Sequence, residues 1–323
     1  MRLVFVGASK FGLRCMRLAI ELPETEVVGI ITSPPIFTIS YRPSGVRNVL
    51  HADVHAVARE RGIPVWDMTG SMTDPALISQ VRAWRPDFIL VAGWYHMIPR
   101  IMRDIAPAAG LHASLLPDYS GGAPLVWAII NGEERTGITF FLMADGVDDG
   151  PIIGQTPEPI HLDDTIATLY ARIEEAGLAL LREHLPKIAR GEAAYTPQDN
   201  GRRRLVPQRG AEDGLIDWTW PALRVYNFVR AQTRPYPGAF TFARGEKFTV
   251  WTSRLPTPRE PQDACGLPPG IIIMDTPRTL GVWVACGDDT RLLLTEAEWA
   301  GEQVTAGEIA RRIGDAAVQT LGH

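Results

Sequence analysis

The chain has 323 residues, 46% of them hydrophobic, and a formal net charge of −5 at pH 7. That length buries a large core and is expected to form two domains, while the acidic balance gives the whole chain no electrostatic footprint for nucleic acid. Cys15, Cys265 and Cys286 are scattered without a CxxC pair, which argues against a disulfide framework or a zinc ribbon. No apolar run approaches the ~18–20 residues of a membrane span and no secretory signal follows Met1, so a soluble cytoplasmic protein without a membrane partner is expected.

Arg2 to Val6 reads as a buried strand, followed by the glycine loop Gly7 to Gly12 and a helix to about Leu22. A second strand covers Glu26 to Thr32, and the Pro- and Ser-rich stretch Ser33 to Val46 reads as a loop. Helical spacing runs from about Ala52 to Arg61, a short strand covers Ile63 to Val65, and Asp74 with Pro75 caps a helix to about Trp84. Asp87 to Ala92 is a strongly apolar strand, and Thr136 to Met143 and Pro151 to Ile160 are two more. Asp163 or Asp164 is expected to cap a long helix to about Arg190. Strands alternating with helices predict an α/β fold: a Rossmann-like parallel sheet covered by helices.

Gly191 to Gly210 is polar and carries Arg202-Arg203-Arg204, so it reads as a linker between a domain of residues 1–190 and one of residues 211–323. Beyond it a helix around Ala222 to Ala231 precedes short strands near Ala239–Phe242, Phe248–Trp251, Gly270–Ile273, Val282–Cys286 and Leu292–Leu294. Gly and Pro turns between short strands predict a small β-barrel-like domain.

The glycine loop lacks the G-x-G-x-x-G spacing, and the second strand ends in Thr32-Ser33-Pro34 with no acidic residue for a ribose. It reads as a packing turn, which disfavours a nicotinamide dehydrogenase. His51 and His55 stand at i and i+4, a zinc-compatible spacing on one helix face, but no third ligand is evident and surface histidines are the better reading.

His112-Ala113-Ser114-Leu115-Leu116-Pro117 breaks from an apolar strand into a loop, and Asp145-Gly146-Val147-Asp148-Asp149-Gly150 follows another apolar strand. Two loops at neighbouring strand ends bring one imidazole and one carboxylate within reach of each other, a pair suited to proton handling near neutral pH. The full order HxSLLP, Gly-x-x-Pro, Trp-Ala-Ile, Asn-Gly, Thr-Gly-x-Thr, Asp-x-Gly resembles the 10-formyltetrahydrofolate-dependent formyltransferases, which include methionyl-tRNA and sugar-nucleotide N-formyltransferases. Residues 212–238, with Ile216-Asp217-Trp218 and Arg234-Pro235-Tyr236-Pro237-Gly238, resemble the C-terminal domain of the tRNA and sugar enzymes.

The resemblance implies catalytic roles for His112 and Asp148 and, two positions before the His, an Asn; here that position is Gly110. In such a family the Asn and His polarise the formyl oxygen and the Asp orients the His. With one donor missing, a backbone N–H near Gly110 or a water is the expected substitute, and a folate-binding homologue with impaired catalysis is the rival reading. The resemblance also implies a pterin pocket from Trp94, His96, Met97 and Ile98 on one side and Ala144 to Asp148, including Gly146, on the other, with Ser114 fixing the His loop. For the acceptor, the loop Ser33 to Val46 holds only Arg42, and Asp118 follows Pro117. Weak local basicity favours a small-molecule amine, an amino sugar on a nucleotide, over initiator tRNA. The sequence leaves open whether the chain acts alone or as a homodimer.

Overall fold

The computed structural model describes residues 1–39, 42–273, 281–305 and 307–309. The chain forms two compact units: one of residues 1–124, 135–159 and 171–206, the other of 125–134, 160–170 and 207–323.

The first unit opens with β1 (Arg2–Val6) and α1 (Lys10–Glu21), where the Ser9 hydroxyl caps the helix by accepting from the Gly12 amide at 3.0 Å. A Cβ on Gly12 would stand 2.5 Å from the Ala92 carbonyl oxygen, so the glycine loop lets helix and strand pack at close range. β2 (Glu26–Thr32) is followed by a hairpin of β3 (Ile36–Ile39) and β4 (Arg42–Arg47). This corrects the loop expected there: Ile36-Phe37-Thr38-Ile39 is a β-branched and aromatic run whose propensity outweighs the flanking prolines. The side chain of Arg42 lies outside the described residues.

α2 (His55–Arg61) starts three residues later than the spacing suggested. His51 therefore precedes it, with Nε2 at 3.2 Å from the Ser33 carbonyl, and His55 instead meets Asp53 and Asp67, so the two imidazoles share no helix face. Among the described residues no group of three or more His, Cys, Asp or Glu is placed to hold a metal. β5 (Val65–Asp67) precedes α3 (Pro75–Trp84), whose cap Asp74 accepts from the Ala76 amide at 2.8 Å.

Next come β6 (Phe88–Val91), α4 (Arg100–Arg103), β7 (Ala108–His112), β8 (Ser120–Gly121), α5 (Pro124–Ile130), β9 (Arg135–Leu142), β10 (Ile152–Pro159), α6 (Ile166–Ala189) and β11 (Leu205–Val206). Thr165, one residue beyond the expected caps, accepts from the Thr168 amide at 3.3 Å at the start of α6, while Asp164 takes the Thr168 hydroxyl at 2.9 Å. The central sheet has the order β10-β9-β7-β6-β1-β2-β5. Its five strands β7, β6, β1, β2 and β5 run parallel, while β9 lies antiparallel to β7 and β10 antiparallel to β9. All four residues of β6 are buried, as expected of a strand covered on both faces.

In the second unit, α7 (Ala222–Gln232) precedes β12 (Ala239–Ala243), β13 (Glu246–Arg254), β14 (Ile272–Ile273), β15 (Val282–Ala285), β16 (Arg291–Trp299) and β17 (Glu302–Val304). They pair antiparallel in the order β12-β13-β16-β15-β14, with β17 added on β16. Register shifts between Val250 and Ser253 bend β13 and curl the sheet toward a barrel. Arg230 is buried in this unit and donates to Asn227 Oδ1 at 2.9 Å and to the carbonyls of His161 at 2.9 Å and Asp164 at 2.8 Å.

Candidate active site

His112 is the last residue of β7, so the strand fixes its backbone while the following turn leaves its ring free to reach across neighbouring loops. Its Nε2 lies 2.8 Å from the Tyr119 carbonyl oxygen, which only accepts, so Nε2 carries a proton. Nδ1 faces Asp148 Oδ2 at 3.5 Å, an ion-pair separation that is long for a hydrogen bond. The imidazole is mostly buried and the carboxylate less so.

The loop after His112 is tied down from β9 and β10. The Ser114 hydroxyl donates to the Asp118 carbonyl at 2.6 Å, and the Ser114 carbonyl accepts from Thr139 Oγ1 at 2.6 Å. Thr139 Oγ1 in turn accepts from the Leu116 amide at 3.1 Å and from Gln155 Nε2 at 2.9 Å, and Gln155 also reaches the Leu116 carbonyl at 2.8 Å. Ser114 thus sits inside the loop that carries His112, where it meets backbone and not the reacting space.

Asp148 has φ 52°, in the left-handed region that a non-glycine residue leaves unless its neighbours hold it. Its Oδ2 accepts from the Gly121 amide at 2.8 Å, and its carbonyl accepts from Gln198 Nε2 at 2.9 Å. Gly146 lies in the turn beneath the Asp149 carboxylate. The Asp145 carboxylate is exposed and pairs with Arg103, which holds it below the usual carboxylate range.

Gly110 lies in the middle of β7, paired with Val91 on one side and Phe141 on the other. Its backbone groups serve these ladders, which disfavours its N–H as the substitute donor. A Cβ at this position would stand 2.6 Å from Met143 Cε, so the methionine fills the space a side chain would take.

Ile98 belongs to a buried core cluster against which Trp94 and Met143 pack. Ile98 is 3% exposed and Met97 54%, so the first is packing and only the second faces solvent. The Trp94 and His96 rings lie 5.3 Å apart, and their Nε1 and Nε2 atoms are buried without a hydrogen-bond partner. Burial holds the His96 imidazole below its ordinary value, in the neutral form. Two orphaned nitrogens side by side are costly unless a ligand supplies their partners. An open cleft of about 410 Å³ adjoins this region, lined by Arg100, Arg103, Ala108, Met143 and Asp145 among others.

Residues 3–185 match the family described as formyl transferase, and residues 210–313 match the formyl transferase C-terminal domain. The chain belongs to the formyltransferase family. A methionyl-tRNA formyltransferase of Bacillus licheniformis is 34% identical over 100% of this chain and 98% of its own length. Among solved structures, an N-formyltransferase from Helicobacter canadensis, in complex with folinic acid and dTDP-3-aminofucose, superposes with a TM-score of 0.65 at 14% identity, covering 94% of this chain and 99% of that one. A variant of HypX from Aquifex aeolicus gives 0.62 at 19% identity over 98% of this formyltransferase, which spans only 49% of the HypX chain.

Sequence reading pointed to His112, Asp148 and Gly110 but missed three partners: the Tyr119 carbonyl, Gln155 and Gln198. Gln155 is an exposed polar residue between half-buried neighbours of β10 and carried a faint signal; Gln198 sits in a polar stretch that carried none.

Proposed function

We propose that this formyltransferase moves the formyl group of 10-formyltetrahydrofolate to the primary amine of a small acceptor, an amino sugar carried on a nucleotide. The buried, unpartnered nitrogens of Trp94 and His96 fit a folate whose ring carries both donors and acceptors, with the Ala144 to Asp148 side closing the pocket. Bound there, the folate supplies an activated formyl carbon. Formyl transfer to an amine requires a donor at the developing oxyanion and a carrier for one proton. His112 donates from Nε2–H to the developing oxyanion, exchanging the Tyr119 carbonyl for the formyl oxygen, and the Asp148 carboxylate takes the proton from the attacking amine and returns it to the leaving folate nitrogen. His112 and Asp148 are the catalytic residues in this reading, and Gly110 marks the lost second donor.

The observation that carries the acceptor class is weak local basicity: the net charge is −5, Asp118 is exposed beside the His112 loop, and Arg202 to Arg204 is the one dense basic run of the sequence. An extended phosphate backbone calls for many cationic contacts, whereas one compact phosphate group calls for few. The 34% identity with the Bacillus licheniformis enzyme supports a second reading, in which methionyl-tRNA is the acceptor. Assaying 10-formyltetrahydrofolate consumption with a panel of nucleotide-linked amino sugars and with charged initiator tRNA separates them. Turnover on an amino sugar that is insensitive to salt is expected; salt-sensitive turnover on tRNA alone would reverse the assignment.

A further inference from the structure

We infer that residues 196–206 form a strap that sets the catalytic pair, with Gln198 as its central positioning residue. This rests on His112 and Asp148 being the reacting pair proposed above. The strap is anchored at Thr196, which exchanges two 2.8 Å backbone hydrogen bonds with Ile152 just beyond the Asp148 loop. Two residues on, the Gln198 amide nitrogen donates to the Asp148 carbonyl at 2.9 Å and to the Gly150 carbonyl at 2.7 Å. One NH₂ group has two protons, so it ties two carbonyls of one turn and locks the left-handed Asp148 between them. Arg203 adds a guanidinium donor to the Val147 carbonyl, on the other side of Asp148.

The same strap then runs along the loop that follows His112. The Ser120 amide donates to the Arg204 carbonyl at 3.0 Å, the Gly122 amide donates to the Val206 carbonyl at 3.0 Å, and β11 pairs with β8 between them. A Cβ on Gly121 would lie 2.4 Å from the Val206 carbonyl oxygen, so the strap is seated at the closest approach a backbone allows. The Gly121 amide is the donor to the Asp148 carboxylate, and the neighbouring Tyr119 carbonyl takes His112 Nε2. One short segment therefore grips the loop of each catalytic residue, and the separation of the pair follows from its seating.

Gln198→Glu keeps the shape and replaces both donors with an oxygen facing two carbonyls; Gln198→Ala removes the contact. Either is expected to lower kcat about tenfold to a hundredfold, as a small misplacement of reacting groups does, with KM for folate and acceptor held within about twofold. The measurement uses whichever acceptor of the panel above supports turnover, beside thermal melting of each variant. Deuterium uptake should rise in residues 117–122 and 146–150 of Gln198→Ala and stay unchanged in the curled sheet. A wild-type kcat, or a raised KM with kcat unchanged, overturns the strap when His112→Ala has abolished turnover. Retained turnover in His112→Ala instead overturns the catalytic pair. Unchanged deuterium uptake overturns the strap whatever the turnover.

Discussion

Gly110 and Met143 form a pair, because the methionine methyl occupies the direction a side chain at 110 would take. Restoring an Asn at 110 alone forces Met143 Cε aside, and overpacking of this kind costs about 1–3 kcal/mol. Gly110→Asn is therefore expected to lower the melting temperature, and Gly110→Asn combined with Met143→Ala to recover it. If the missing donor limits the rate, the double variant should also exceed Met143→Ala in kcat; equal values would show that the site has another donor. His112→Ala and Asp148→Ala are each expected to cut kcat by roughly 10²–10⁴-fold while a titration with 5-formyltetrahydrofolate still shows binding. The folate contacts proposed for Trp94 and His96 lie on a different loop, which is why binding and turnover should separate.

Among the secondary-structure elements, α2 and β5 are joined by a titratable contact. Hydrogen bonding to Asp53, and then to Asp67 at the end of β5, raises the His55 pKa from its ordinary 6.5. A folded pKa raised above the unfolded one gives stability that is complete below pH 6.5 and lost as pH rises through the higher folded value. His55→Gln should then destabilise the protein at pH 5.5 and have no effect at pH 8.5, by less than about 1 kcal/mol because the pair is exposed. A loss of equal size at both pH values in urea unfolding would rule out the charge as its source. In the second unit, Arg230 ties α7 to the carbonyls of His161 and Asp164. Truncating it to Ala leaves buried acceptors unpaired and should cost about 1–3 kcal/mol, seen as a lower urea midpoint.

The strand–helix alternation, the Asp74 cap, the apolar β6 and the His112 and Asp148 loops were legible in the sequence because each rests on local chemistry. The hairpin of β3 and β4 was not, since Pro34, Pro35 and Pro43 around it carry the signal of a loop. Residues 196–206 were opaque for a stronger reason. Their partners are backbone carbonyls and amides of loops some fifty to eighty residues away, as in Gln198 with Asp148 and Val206 with Gly122. A backbone partner leaves no residue type by which to find it. The Tyr119 carbonyl under His112 was hidden in the same way.

For the molecule as a whole, the net charge of −5 and the lone run Arg202 to Arg204 predict weak attraction to polyanions. Arg202→Ser, which spares the contacts of Arg203 with Val147 and of Arg204 with Tyr119, should raise KM for a phosphate-bearing acceptor and leave folate binding unchanged; an unchanged KM would remove it from acceptor recognition. The two compact units also do not follow one another along the chain. Residues 125–134 and 160–170 belong with residues from 207 onward, and Ile160 donates to the Glu134 carbonyl at 2.9 Å within that unit. On a ribosome these two stretches emerge long before some of their partners, so the His161 and Asp164 carbonyls must wait for Arg230, and the Trp127 ring for Pro207 and Arg209. Nascent chains halted near residue 206 should thus recruit chaperones and resist protease poorly around 125–134 and 160–170, with protection arriving only after the second unit has left the exit tunnel.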